Sequence, residues 1–211
     1  MQHITSSDIK EWERYYRANF INCLSGFKSA TIIGTLKENR QPNLGLFSNV
    51  FHVGADPAII GFVNRPRVSA SHTIANIERS GVYTMNLVPE LFAANAHYTS
   101  AKYDLETDEF SATGFTTEFL NDIEAPFVAE SKIKYAMQLL EVIPIKHNGA
   151  FFVLGSVTDI LIDEGLINRD GFIHLEKAGT IASLGIDGYY TTKLHDRYKY
   201  AKAGEPVSKI V

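Results

Sequence analysis

Two runs rich in β-branched and aromatic residues, Tyr135–Ile143 and Phe151–Ile162, stand on either side of Lys146-His147-Asn148-Gly149. Asn-Gly between apolar segments favours a hairpin, because both residues tolerate the positive φ of a tight reversal. A lone hairpin is marginal in water, so these strands must recruit others. Ser29–Leu36, Leu44–Val53, Ala58–Val63 and Val82–Val88 qualify, with Lys37–Arg40 and Ala55-Asp56-Pro57 as turns. Ala58–Val63 is apolar nearly throughout, which predicts burial on both faces. Thr73–Ser80 reads as a short helix stopped at Gly81, and Pro89 opens another that runs to about Tyr98. An N-terminal helix starts near Ser7-Asp8 and carries Ile9, Trp12, Tyr16 and Phe20 at helical spacing. From Thr99 to Pro126 the chain is irregular and acidic, and a loop of that length in a compact domain is functional or partner-contacting. Antiparallel strands with helices inserted between them predict a mainly β (α+β) barrel rather than a doubly wound sheet.

The 211 residues suffice for one domain with a substantial core, and neither a repeat nor a linker divides them. A net charge of -4 argues against nucleic acid as a partner, since phosphate-backbone binders need a basic face. No apolar run approaches the ~18 residues of a membrane span. The polar start, MQHITSSDIKEWERYY, is unlike a signal or transit peptide. The single cysteine, Cys23, precludes an internal disulfide and is assigned to packing. Together these predict a cytoplasmic protein that does not bind membranes. The seven histidines show no i, i+4 pairing, so no metal site is expected. Gly-x-Gly-x-x-Gly, Gly-x-x-x-x-Gly-Lys and Gly-x-Ser-x-Gly are all absent.

The chemistry concentrates between Gln41 and Asn86. Arg65 and Arg67 precede a helix start at Ser71-His72-Thr73. Guanidinium forks, hydroxyls and free helix N–H groups suit a phosphate, although solvated arginines beside an ordinary cap would look the same. Phe47, Ser48, Asn49 and Phe51 lie on the neighbouring strand. By period two, Phe47, Asn49 and Phe51 share a face, and a core asparagine needs amide partners there. The edge of a flat, polar-rimmed ring would supply them. Together these groups predict a flavin mononucleotide (FMN) pocket and redox chemistry. Asn86 is assigned a structural role or one supporting the site from behind; Tyr189 and Tyr190 either line the open face of the ring or, the preferred reading, form a surface or subunit contact.

The ordered pieces resemble the flavin reductase-like family. SATIIGT and QPNLGLFSNVFHV match its first hairpin, and DPAIIGFVNRP its next strand and basic turn. HTIANIERSGVYTMNLV, NAHYTSAKYDLETDEF with GFTT, APFVAESKIKYAMQLLEV, FFVLGSVTDILID and LEKAGTIASLGIDGYY follow in family order. His72 stands where the pattern has Asp, and Met137-Gln138 and Ala182-Ser183 replace its Cys or Arg. The resemblance covers roughly residues 25 to 192, leaving the N-terminal helix (1–24) and the tail (193–211) outside. It implies an antiparallel FMN-binding split β-barrel. It also implies that Ser100 and Lys102, in the Ser100-Ala101-Lys102-Tyr103 segment, approach the cofactor. Its members' chemistry implies hydride transfer from NAD(P)H through FMN to a flavin or small-molecule acceptor, with no catalytic side chain because the flavin reacts. An FMN electron carrier of the flavoredoxin type and a non-enzymatic flavin-binding protein are the alternatives. A homodimer is expected from the resemblance and from the aromatic load of the N-terminal helix and the 99–126 loop.

Overall fold

The computed structural model describes residues 1–67 and 72–210. Helices α1 (Ser6–Glu11) and α2 (Arg14–Leu24) precede strands β1 (Lys28–Ser29), β2 (Thr31–Leu36), β3 (Pro42–Phe47), β4 (Val50–Ala55) and β5 (Ala58–Asn64). Helix α3 (His72–Ser80) leads into β6 (Val82–Leu87), helices α4 (Ala93–Tyr98) and α5 (Glu109–Thr113), and short strands β7 (Thr117–Glu118) and β8 (Phe127–Val128). The long hairpin β9 (Ile133–Pro144) and β10 (Phe151–Ile162) follows, then α6 (Leu175–Ala178), β11 (Ile181–Leu184) and β12 (Gly188–Thr191). The turn between β9 and β10 falls at the Asn-Gly pair, but only Gly149 takes a positive φ, 74°; its N–H donates to the Ile145 carbonyl at 2.9 Å.

The principal sheet has the order β3-β2-β6-β9-β10-β5-β4, antiparallel throughout. Its two edge strands, β3 and β4, are consecutive in the chain. Only Ser48 and Asn49 separate them, a span of about 10 Å at full extension. The sheet therefore has to curl until its edges meet at that corner. This is the split barrel: mainly antiparallel, with an open ladder between the edges. The single strand expected over Leu44–Val53 is thus two, bent at Ser48-Asn49, because each half pairs with a different neighbour.

Strand β2 is buried along its whole length because both its faces are covered. Ile33 packs inside the barrel with Phe62, Ile74, Ile77, Tyr83, Met85, Met137 and Val153. Ile32 faces the other way, into a second core with Leu44, Val88, Ala96, Phe110, Phe115 and Ile181. Each such side chain contributes roughly 1.5–3 kcal/mol of burial. The expectation of two buried faces fits β2 rather than Ala58–Val63: in β5 only Gly61, Phe62 and Asn64 are buried, and Ala58 is exposed.

The N-terminal helix is broken at Trp12, whose extended backbone (ψ 145°) ends α1. Glu13 restarts the chain as α2 by accepting the Tyr15 and Tyr16 N–H groups at 2.8 and 3.1 Å. The 99–126 stretch is less irregular than its composition suggests. Asp108 caps α5 through the Phe110 and Ser111 N–H groups, and Gly114 (φ 76°) ends it. Phe110 and Phe115 are spent in the chain's own core, so they do not form a free apolar load. Among the described residues no helix is long and apolar enough to cross a membrane.

Tyr83 is wholly buried on β6 and its hydroxyl finds no partner among the described residues. Burial pushes the phenol far above its ordinary pKa, with Tyr135 adding to the shift. A Cβ at Gly155 would come within 2.3 Å of that hydroxyl. Gly155→Ala should therefore lower stability by about 1–3 kcal/mol through overpacking. Tyr83→Phe should be neutral or stabilising, since it removes an unpaired buried hydroxyl. In the double variant the glycine penalty should shrink. Urea midpoints of the four proteins check this; a Tyr83→Phe variant less stable by more than about 1 kcal/mol would show that the hydroxyl is satisfied.

Candidate functional site

The bend at Ser48-Asn49 opens one end of the barrel. The Asn49 carbonyl accepts the Val63 N–H at 3.0 Å, which sets the end of β5 beside the bend. Arg65, immediately after β5, is delivered to the same corner, and the Asn64 amide holds its carbonyl at 2.7 Å. The first residues of α3, His72 and Thr73, approach from beside β3. Gly45 makes room for them, because a Cβ there would meet Thr73 Oγ1 at 3.1 Å. Ile74 and Ile77, one turn apart and fully buried, pin α3 against the sheet so that its N-terminus stays at this opening.

The result is a cleft of about 580 Å³, within the range of small-molecule pockets. Phe47, Ser48, Asn49, Arg65, His72, Thr73, Ser100 and Lys102, all singled out from the sequence, line it together. Two others do not. Phe51 lies on β4 beyond the bend, exposed, with its ring 5.9 Å from that of Phe152. The bend breaks the period-two alternation that would have placed it with Phe47. Arg67 pairs in a fork with Glu78 of α3, at 2.8 and 2.5 Å, and stacks 4.9 Å over the Phe151 ring. Its charge is committed there. Ser71 lies outside the described residues. Asn49 lines the cleft from an exposed position, so the cost of burying its amide does not arise.

Of the two readings open for Tyr189, the structure favours a place on the cleft: it walls the cleft, and its hydroxyl lies 2.9 Å from His97 Nδ1 on α4. Tyr190, next in the chain, packs instead against Phe27 with ring centroids 4.8 Å apart. Alternation along β12 separates the two. The turn between β11 and β12, including Gly185 and Gly188, forms another wall. Asn19 of α2 holds that turn by accepting the Ile186 N–H at 3.2 Å. Asn86 is structural, as expected: it is fully buried and bonds Ile32, Thr84 and Val128. Glu109, hidden in a charge-rich stretch, is buried beneath the cleft and accepts the Leu44 N–H at 2.9 Å. Burial pushes its carboxyl above the usual range; Leu44 and Lys37 oppose this, and Asp108 adds to it.

An open-ended antiparallel barrel with such a cleft defines the split-barrel class. A sequence model described as "Flavin reductase like domain" matches residues 25–177. The chain belongs to the flavin reductase-like family, and its chemistry is flavin-related oxidoreduction. A Shewanella frigidimarina NCIMB 400 protein, described as a flavin reductase with a split barrel domain, is 43% identical with a TM-score of 0.92, the match covering 95% of this chain and 100% of that one. Nitrilotriacetate monooxygenase component B from Bacillus cereus superposes at TM-score 0.81 with 18% identity, over 92% of this chain and 97% of that one. An FMN-binding protein from Thermus thermophilus superposes at 0.64 with 18% identity, over 78% and 85%. The last two share the fold.

The different fates of the two arginines can be measured. Arg65→Ala should weaken FMN binding by about 1.5–3 kcal/mol, the range for a hydrogen bond to a charged group. Arg67→Ala should leave it within about 0.5 kcal/mol, as expected of a surface ion pair. Quenching of flavin fluorescence gives both affinities; equal losses would place Arg67 at the ligand after all.

Proposed function

We propose that the protein is an FMN-dependent NAD(P)H oxidoreductase that reduces a flavin or another small molecule and works as a homodimer. The supporting observation is the cleft's polarity. The cleft's lining includes the cations Arg65 and Lys102 together with His72 and Thr73, the first described residues of a nine-residue helix. The walls are Phe47, Tyr103 and Tyr189. A terminal phosphate fits the first, because guanidinium, ammonium and helix N–H groups bind anions together. A flat aromatic ring fits the second. FMN, when bound, would accept a hydride and pass it on.

The chain's own residues then have three tasks. Arg65, Lys102 and the α3 start hold the phosphate and so fix how deep the ring lies. Ser48 and Asn49, at the bend between the sheet's edges, offer hydroxyl and amide groups to the ring's polar edge. Tyr103, whose hydroxyl donates to the Tyr98 carbonyl at 3.2 Å, and Tyr189 bound the space a nicotinamide or an acceptor must enter.

The purified protein should take up FMN in preference to riboflavin, which lacks the phosphate. Anaerobic titration with NADH and NADPH should bleach the bound flavin's absorption. Bleaching by a ferredoxin-type donor but by neither nicotinamide would favour an electron carrier instead.

The dimer has support in surface that the chain leaves uncovered. No residue of α1 or α2 is buried, and Tyr15 and Tyr16 are 69% and 56% exposed. Phe51, Phe152 and Ile143 form a second exposed apolar group on the barrel. A two-fold axis lets such surface bury itself against its copy. Light scattering at low micromolar concentration should give twice the chain mass; a monomer mass with FMN bound would remove this part of the proposal.

A further inference from the structure

Three side chains from three elements form one line of hydrogen bonds under the cleft floor. Glu109 of α5 is 4% exposed and Asn43 of β3 is 1% exposed. One end of the Asn43 amide lies 3.2 Å from Glu109 Oε1; the other lies 3.3 Å from Thr73 Oγ1, 3.2 Å from Thr35 Oγ1 and 3.2 Å from the Leu44 nitrogen, whose N–H also donates to Glu109 at 2.9 Å. Glu109 and Thr73 both border the cleft, at opposite ends of this line.

The line has two self-consistent polarities. An ionised Glu109 can only accept, so the Asn43 NH₂ faces it, and the Asn43 oxygen takes the Thr73 and Thr35 hydroxyl protons. Thr73 then spends its only hydrogen inward. A protonated Glu109 donates to the Asn43 oxygen. The amide turns over, its NH₂ donates to Thr73 Oγ1 at 3.3 Å, and the Thr73 hydrogen is released toward the cleft. An anion beside Thr73 needs a donor, so it favours the second state.

We propose that binding of a phosphate group beside Thr73 is coupled to uptake of one proton from solvent by Glu109, through reversal of the Asn43 amide. This rests on the phosphate placement proposed above. Glu109 is a positioning residue here and does not touch the ligand. The coupling is reciprocal: whatever protonates Glu109 tightens phosphate binding by the same factor. The charged and titratable groups facing Glu109 are Lys37 at the end of β2, Asp108 on its own helix and Tyr103 on the preceding loop. Lys37 is anchored on the Leu105 and Thr107 carbonyls, both at 2.7 Å.

Glu109→Gln tests the relay. Its amide accepts from Leu44 and donates to Asn43, and so imitates the protonated state at every pH. FMN and riboflavin affinities of the full-length protein are measured from about pH 5 to about pH 9. The phosphate's own titration is common to both proteins and cancels in their ratio. The ratio of wild-type to Glu109→Gln FMN dissociation constants should rise from about one to about tenfold with pH, the size of one hydrogen bond to a charged group. In a Thr73→Val background the rise should vanish. A flat ratio with FMN still preferred over riboflavin overturns the relay. A rise that survives Thr73→Val also overturns it, and points to through-space repulsion. Equal affinity for riboflavin and FMN overturns the phosphate placement itself. Should Glu109→Gln not fold, calorimetry of FMN binding in buffers of different ionisation enthalpy replaces it. Proton uptake seen with FMN but not riboflavin, and lost in Thr73→Val, supports the relay; uptake that persists in Thr73→Val, or is absent in the wild type, overturns it.

Discussion

One covalent constraint organises this molecule: β3 and β4 are joined by two residues yet form opposite edges of one seven-stranded sheet. A sheet edge exposes unpaired N–H and C=O groups. Bringing the edges together at Ser48-Asn49 leaves two residues of backbone outside the ladder. That is where a ligand can find side-chain and backbone groups, although the Asn49 carbonyl is already bonded to the Val63 N–H of β5. The same bend places Arg65 and the α3 start at one opening and sends Phe51 away from it. The cleft is thus a consequence of closing the barrel on so short a link.

A buried polar layer supports the opening from behind. Asn86 joins the Ile32 carbonyl, Thr84 and the Val128 N–H. Asn76 of α3 donates to Thr35 of β2 at 3.0 Å, and Asn43 and Glu109 continue the layer beneath β3. Buried amides and carboxyls cost free energy unless paired, so each fixes the spacing of the elements it joins. Apolar contacts alone, being non-directional, would let α3 and α5 slide along the sheet. Directional pairing holds the α3 start and α5 in register with β3.

The two arginines show how little proximity in sequence says about role. Arg65 and Arg67 are two residues apart, both exposed and both cationic. Arg65 follows the strand into the cleft. Arg67 meets Glu78, the single carboxylate of α3, and the face of Phe151. A forked pair and a ring beneath it hold that guanidinium outside the cleft's lining.

The short strands β1, β7, β8, β11 and β12 were not legible in the chain, but most of the principal sheet's strands, the α3 helix with its glycine stop, the long hairpin and the family membership were. They depend on short-range rules: alternation, turn chemistry, and the order of local motifs. Eight of the proposed site residues meet in one cleft because they sit near strand ends and a helix start, where local pattern and site coincide. What the sequence alone did not determine is non-local. It did not show that Leu44–Val53 bends, because the bend arises from which distant strand each half pairs with. It did not show α5 or the burial of Glu109, because a carboxylate in an acidic loop looks solvated until an N–H group opposite it, Leu44's, is left without a strand partner. Nor did it separate Tyr189 from Tyr190, whose roles follow from which face of β12 turns toward α4. Those choices belong to tertiary pairing, which sets distances between residues that the chain keeps far apart.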